Sequence, residues 1–380
     1  MKATRGSLFL FLLIVLPVLW TGCDPSTGKP PIANMVDGGT YALVVTTDYE
    51  AGAYSLVDLA DLSISKSIEA IHEDSVCRFD EETSTPFIVA RYGADAVDVI
   101  DPHDGWTVSS EYSTGAGSNP QDIAVASSER AFIALFDQPE LLIVHPTSGT
   151  QIGTVDLSSM ADDDGNPEAA WVLHLQGKIY VVLQKLDNFA PTGPSSIAVI
   201  DAATGVIEEE IILSGSNTYG KLRYNPVLDK IVIAQAGAFD TLDGGVEYLD
   251  PHDLTLSGFV ITEQEVGGDL SDVVIVSETK GYAVIGVPAA SGAATHLVSF
   301  NPSTGKKLAD LIVRDEWTIG FLEISPDRSQ LWVCDRKPQL PGLRIFDTEN
   351  DAEITEEPLD VGLPPFMICF VHQNNEEVQP

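Results

Sequence analysis

Residues 87–101 read FIVARYGADAVDVID. Phe87 to Ala90 is a short apolar strand. Gly93 and Asp95 mark a turn, and Ala96 to Ile100 is a second strand that ends in Asp101. The same ending recurs along the chain. Leu56-Val57-Asp58, Val99-Ile100-Asp101, Ile143-Val144-His145, Val199-Ile200-Asp201, Tyr248-Leu249-Asp250, Ser299-Phe300-Asn301 and Ile345-Phe346-Asp347 are its seven instances. Successive endings lie 43, 44, 56, 49, 51 and 46 residues apart. A period of about 40–50 residues fits one four-stranded propeller blade per repeat. The turns after these endings are Asp101-Pro102-His103-Asp104, Thr204-Gly205, Asp250-Pro251-His252-Asp253 and Thr304-Gly305. Asp or Asn opens such a turn by bonding its own backbone, Pro presets φ, and Gly takes the positive φ.

Another strand pair precedes each ending. Ile123 to Ala126 leads to Ala131 to Ala134, and Leu322 to Ser325 leads to Leu331 to Cys334. No stretch of twelve residues has helical periodicity. The fold expected is therefore all-β: a seven-bladed β-propeller of four-stranded blades. The first unit has only three strands, near residues 41–47, 53–58 and 63–68. Phe366 to Val371 supplies the fourth, so the C-terminal strand joins the first blade and closes the ring.

The quoted stretch also resembles the YVTN repeat of bacterial β-propellers, whose common form runs LYVANYGSNTVSVID. The likeness covers roughly residues 40–372. It implies a propeller scaffold that serves varied binding roles, and some propellers of this kind are lactonases. Arg91 stands where the repeat usually has Asn.

Composition narrows the function classes. The 380 residues carry 20 Lys+Arg against 57 Asp+Glu, a formal charge of −37. That balance argues against nucleic acid and against docking on anionic lipid by charge. Lys2 and Arg5 precede an apolar run, Leu8 to Trp20, that suits a signal peptide better than a membrane span. Thr21-Gly22-Cys23 then resembles a bacterial lipobox, although Leu19 and Trp20 depart from the usual pattern. The resemblance implies a signal at 1–22, lipidation at Cys23 and a tether over 23–39. The propeller follows at 40–372 and a polar tail at 373–380. The expected location is the bacterial cell envelope, periplasmic or surface-exposed, with membrane attachment by the lipid anchor only.

Cys77 and Cys369 align with Ala124 on innermost strands. Equivalent positions in adjacent blades point the same way around the ring, which works against a disulfide. With Cys334 they read as small buried hydrophobes. No CxxC, HExxH or GxSxG is present, and no Gly-rich loop opens a helix. His103 and His252 belong to repeated turns. Asp162, Asp164 and Asn166 alternate as calcium ligands do in some loops, while the EF-hand pattern fails. The long insertions Gln184 to Ser196 and Gln235 to Gly245 open on the face of the blade-to-blade connections. Arg91, Tyr92, Lys185, Asp187, Phe189, Phe239, Asp240, Asp243 and Arg336 form a candidate pocket there. Trp171, Arg223 and Glu323 align with Ala124 as channel-lining residues, with Arg223 and Glu323 too far apart in the ring to pair.

The leading expectation is a binding or interaction scaffold whose partner is an envelope protein, a glycan or a peptide. The alternative is a lactonase-like or other hydrolytic enzyme with an acidic or metal site at the channel mouth. Calcium is the one cofactor the residues suggest.

Overall fold

Each blade is one antiparallel sheet; in blades 2 to 7 its first strand lies nearest the central axis, and in blade 1 the C-terminal strand takes that place. The computed structural model describes residues 39–290 and 292–372. The expected signal, Cys23, the tether up to residue 38 and the tail lie outside the described residues. Blade 2 sets the pattern with Ser75–Asp80, Thr85–Ala90, Ala96–Asp101 and Thr107–Ser113 from axis to rim. Blades 3 to 6 follow, opened by Pro120–Ser127, Ala169–Leu175, Arg223–Asn225 and Asp269–Ser277. Blade 7 pairs Ile319–Ile324, Gln330–Asp335 and Gly342–Asp347. Its outer position is filled irregularly, by isolated bridges from Glu353 to Phe346 and from Leu359 to Leu343. Blade 1 is completed by Pro365–His372, which pairs with Thr40–Thr47 inside Gly52–Asp58 and Ile64–Ile71. Seven blades and closure by the C-terminal strand are thus as the repeat predicts.

Burial explains the strand composition. Second and third strands are covered on both faces by neighbouring blades, so Phe87 to Ala90 is buried throughout. Outer strands alternate, as in Thr107–Ser113, where one face meets solvent. Between blades 7 and 1, Ala42, Val44 and Ile368 pack on Trp332, Cys334, Leu343 and Ile345. The turn-opening acids act as their chemistry suggests. Asp101 Oδ1 accepts the His103 amide at 2.8 Å, Asp250 Oδ1 the His252 amide at 2.9 Å, and Asp347 Oδ1 the amides of Glu349 and Asn350.

Arginine–carboxylate clasps bind the inner strands together, twice in the same way. Arg78 of blade 2 pairs with Asp122 of blade 3, whose Oδ2 accepts the Val172 amide of blade 4 at 3.0 Å. Arg223 of blade 5 pairs with Asp272 of blade 6 at 2.6 and 3.0 Å, and Asp272 Oδ2 accepts the Leu322 amide of blade 7 at 2.9 Å. Each clasp spans three blades and leaves its buried carboxylate bonded on both oxygens.

The pairing register corrects two inner-strand alignments. Ala124 opposes Phe132, and the equivalent of Phe132 is Phe87 in blade 2 and Tyr180 in blade 4. Arg78 opposes Phe87 and Leu173 opposes Tyr180, so Arg78 and Leu173 hold the position assigned to Cys77 and Trp171. The cause in blade 4 is a bulge between Ala169 and Val172. Cys369, opposing Leu43, does align with Ala124. The offset turns Cys77 back toward Cys369, and the two thiols meet as unbonded buried neighbours. Burial, then the hydrogen bond with Cys77, pushes the Cys369 thiol well above the usual range. Arg223 and Glu323 also meet across blade 6: Arg223 Nε lies 3.8 Å from Glu323, and Lys221 Nζ lies 3.0 Å from it. Near the axis, side chains two blades apart are close enough to touch. Burial opposes the Glu323 charge most strongly, but Lys221 and Arg223 together hold its carboxyl below the usual range.

Candidate functional site

Three aromatic rings from inner strands meet at one end of the channel. Trp171 of blade 4 packs edge-on against Phe321 of blade 7 at 5.8 Å between centroids, and Phe321 against Phe366 of the closing strand at 5.4 Å. The Trp171 indole N–H donates to Tyr219 O at 3.0 Å, which fixes its plane. Above these rings lies a cavity of about 440 Å³, within the range of ~300–1,000 Å³ usual for ligand pockets. Its wall comes from second-to-third-strand loops and blade-to-blade connections. A second cavity of about 370 Å³, lined by Tyr49, Trp317 and Arg336 among others, shares Tyr219, Phe321 and Phe366 with the first.

The long loops position the outer wall. Leu186–Asp187 and Ala190–Pro191 form a two-residue hairpin whose turn is Asn188-Phe189. Both turn residues have positive φ, 50° and 64°, the geometry of a type I′ turn. This turn carries the Phe189 ring out to 78% exposure. Behind the hairpin, Glu168 accepts the Leu186 amide at 2.8 Å. Burial pushes the Glu168 carboxyl up to about 7. In blade 5 the loop after Gln235 places Phe239 against Tyr219, edge-on at 6.1 Å. That loop hangs on two buried carboxylates. Asp269 Oδ2 accepts the Asp240 amide and Glu263 Oε2 the Gly244 amide, each at 2.8 Å.

The polar part of the wall is compact. Arg91 Nε donates to Asp74 Oδ1 at 2.9 Å, and its Nη1 donates to Gln121 Oε1 at 3.2 Å. The guanidinium also lies 5.7 Å from the Phe366 ring centroid. Gln184 Nε2 donates to Thr218 O at 2.8 Å, and Asn217 Nδ2 to Gly237 O at 3.0 Å.

Of the residues singled out from the sequence, Arg91, Tyr92, Phe189 and Phe239 line this cavity, and Arg336 lines the second. The others lie elsewhere. Lys185 pairs with Glu210 at 2.8 Å, and Asp187 accepts from Asn188. Asp240 sits on the loop held by Asp269, and Asp243 accepts the Ala238 amide within the same loop. Arg223 and Glu323 belong to the channel network below. Arg336 also ties the closing strand to blades 7 and 1, donating to Pro364 O and Pro365 O at 3.3 Å and to Thr47 O at 3.0 Å. Asp162, Asp164 and Asn166 make successive turns. Asp162 Oδ1 accepts the Asp164 amide, Asp164 Oδ1 accepts the Asn166 amide, and Asn166 Nδ2 donates to Phe136 O. Among the described residues, no three acidic, histidine or cysteine side chains come together as metal ligands.

The sequence reading missed Tyr219, Phe321 and Phe366. Phe321 and Phe366 look like ordinary core residues on short strands. Only their shared approach to the axis reveals them.

No family model and no curated protein matches the chain. Solved structures do share its fold. A candidate 6-phosphogluconolactonase of Bacteroides uniformis is 13% identical, with a TM-score of 0.63 over 88% of this chain and 100% of that chain. A second, from Bacteroides fragilis, is 13% identical with a TM-score of 0.61, covering 88% of this chain and 98% of its own. Kuenenia stuttgartiensis hydrazine synthase is 14% identical with a TM-score of 0.60, covering 80% and 94%. At these identities the likeness is one of propeller fold.

Proposed function

We propose that this chain is a binding protein of the bacterial cell envelope, carried on a lipid at Cys23, that takes its ligand at the aromatic mouth of the propeller. One observation carries the binding role. Among the described residues, the strongly exposed aromatics are Tyr49, Tyr92, Phe189, Tyr219, Phe239 and Trp317, and every one lines one of the two joined cavities. Exposed aromatic rings lower solubility, so their gathering around these cavities, while the exposed aliphatic side chains lie elsewhere, points to an occupant. The anchor rests on the lipobox-like Thr21-Gly22-Cys23.

A hydrolytic reading would draw on the names of the two Bacteroides proteins. It asks for carboxylates open to a ligand. In the 440 Å³ cavity Asp74 is engaged by Arg91, while Asp240 and Asp243, on the loop that carries Phe239 into the wall, are turned into contacts of their own and do not line it. These contacts support binding over turnover.

The test is a thermal-shift screen of small molecules and short peptides, repeated on Tyr92→Ala and Phe239→Ala. A saturable stabiliser whose effect both substitutions weaken is the expected result. Stabilisers indifferent to both substitutions, or measurable opening of glucono-δ-lactone, would overturn the reading. Incorporation of an alkynyl fatty acid that Cys23→Ser abolishes checks the anchor separately.

A further inference from the structure

We infer that the ligand of the 440 Å³ cavity is an uncharged saccharide, bound by stacking on the aromatic wall and by hydrogen bonds to its carboxamides. The inference rests on the binding reading above and narrows it.

Charge comes first. Among the described residues, the only acidic or basic side chains in this wall are Asp74 and Arg91, and they pair with each other. An anionic ligand would find no unmatched cation there, inside a protein of formal charge −37. A compact cation would find aromatic faces but no carboxylate to itself. A ligand bearing either charge would have to break the pair.

Polarity comes second. Four carboxamides, Asn119, Gln121, Gln184 and Asn217, stand among the rings. Gln121 is tied to Asn119 and Arg91, and Gln184 and Asn217 each bond through the amide N–H, so a purely apolar ligand would leave the amide oxygens of Gln184 and Asn217 without a donor, at a cost of about 1–3 kcal/mol for each. The occupant therefore has hydrogen-bonding groups along its edges and an apolar face.

A pyranose ring has both. Its axial C–H face is flat and apolar, and its hydroxyls each donate and accept. The carboxamides match that chemistry, because each also carries a donor and an acceptor. Gln184 and Asn217 commit their N–H groups to Thr218 O and Gly237 O, so their oxygens are the atoms they offer to hydroxyl donors. Trp171, 6% exposed and held by its bond to Tyr219 O, is part of a fixed floor, and the open ring faces belong to the exposed aromatics above it. Tyr92 and Phe189, 71% and 78% exposed, stand at the rim.

The experiment is calorimetric titration of the protein with cellobiose, maltose and N,N′-diacetylchitobiose, each to about 20 mM, a ceiling that detects millimolar affinity. Glucose 6-phosphate, benzyltrimethylammonium and the tripeptide Gly-Phe-Gly are the counter-probes. The expected result is saturable binding of at least one neutral disaccharide, tighter than every counter-probe. Tyr92→Ala and Phe189→Ala should each weaken it by about 3- to 10-fold, the scale of one lost aromatic contact. Both side chains project into solvent, so the variants should melt as the parent does, and a melting curve checks this. Three results overturn the inference: no saturation by any of the three sugars, tighter binding of a counter-probe, or sugar binding that ignores both substitutions. Tight binding of a counter-probe that depends on Tyr92 would leave the binding role of the mouth standing and remove only the saccharide.

Discussion

Phe189 occupies a position that the backbone would rather give to glycine. It is the second of two residues with positive φ in a two-residue hairpin turn, where an aromatic side chain costs about 1 kcal/mol. Phe189→Gly should therefore leave the melting temperature unchanged or raise it slightly, while ligand binding at the mouth weakens. A fall in both together would make the ring a packing element instead. Glu168, behind the same hairpin, gives a second residue-scale test. Its folded carboxyl is pushed up by burial to about 7, above its ordinary value of 4.5. A raised acid stabilises the fold fully below its unfolded value, and that contribution is lost as pH rises through its folded value. Melting temperature should thus fall between about pH 4.5 and pH 7. Glu168→Gln, which imitates the neutral acid, should flatten part of that fall, as melting curves across the pH range would show.

At the scale of elements, the closing strand and the clasps hold the ring together. A chain stopped after Gly362 lacks the whole inner strand of blade 1 and should unfold or associate, seen by gel filtration and circular dichroism. Arg336→Ala should lower stability by about 2–3 kcal/mol in urea, because three carbonyls lose a charged donor. Asp122→Ala and Asp272→Ala should each cost about 3–5 kcal/mol, since each strands a buried arginine. Lys178→Ala, which removes the half-exposed pair with Glu208, should cost less than about 1 kcal/mol. The strands themselves were legible. Asp58, Asp101, Asp201 and Asp347 end third strands and bond their own turns, so their spacing counts blades directly. Inner strands were less legible. The bulge between Ala169 and Val172 shifts the count in blade 4, which is why Trp171 was placed off its true level, whereas Cys77 was placed one residue off on a strand of regular register. The cavity was legible in part. Loop length pointed to Phe189 and Phe239, but charge pointed wrongly to Lys185 and Asp187, because a sequence does not show that a lysine has already found Glu210.

The whole molecule is strongly acidic, and few of the 57 acids have a basic partner to meet. Self-repulsion of that size is screened by salt, so melting temperature should climb as sodium chloride rises from about 10 to 150 mM, where the screening length shrinks from roughly 30 to 8 Å. Calcium chloride should do no more than magnesium chloride at equal ionic strength, because among the described residues no three acidic, histidine or cysteine side chains converge as metal ligands. A saturable response to calcium alone would reopen the oxygen-ligand site. Finally, the place of the last strand sets a timetable for biosynthesis. Of the seven blades, blade 1 begins first, yet its innermost strand, Pro365–His372, is translated only after the other six. Throughout synthesis Thr40–Thr47 waits with one edge unpaired. The ring cannot shut until residue 372 has left the ribosome, so a chain cut short before that strand leaves the first blade as open as it was at the start.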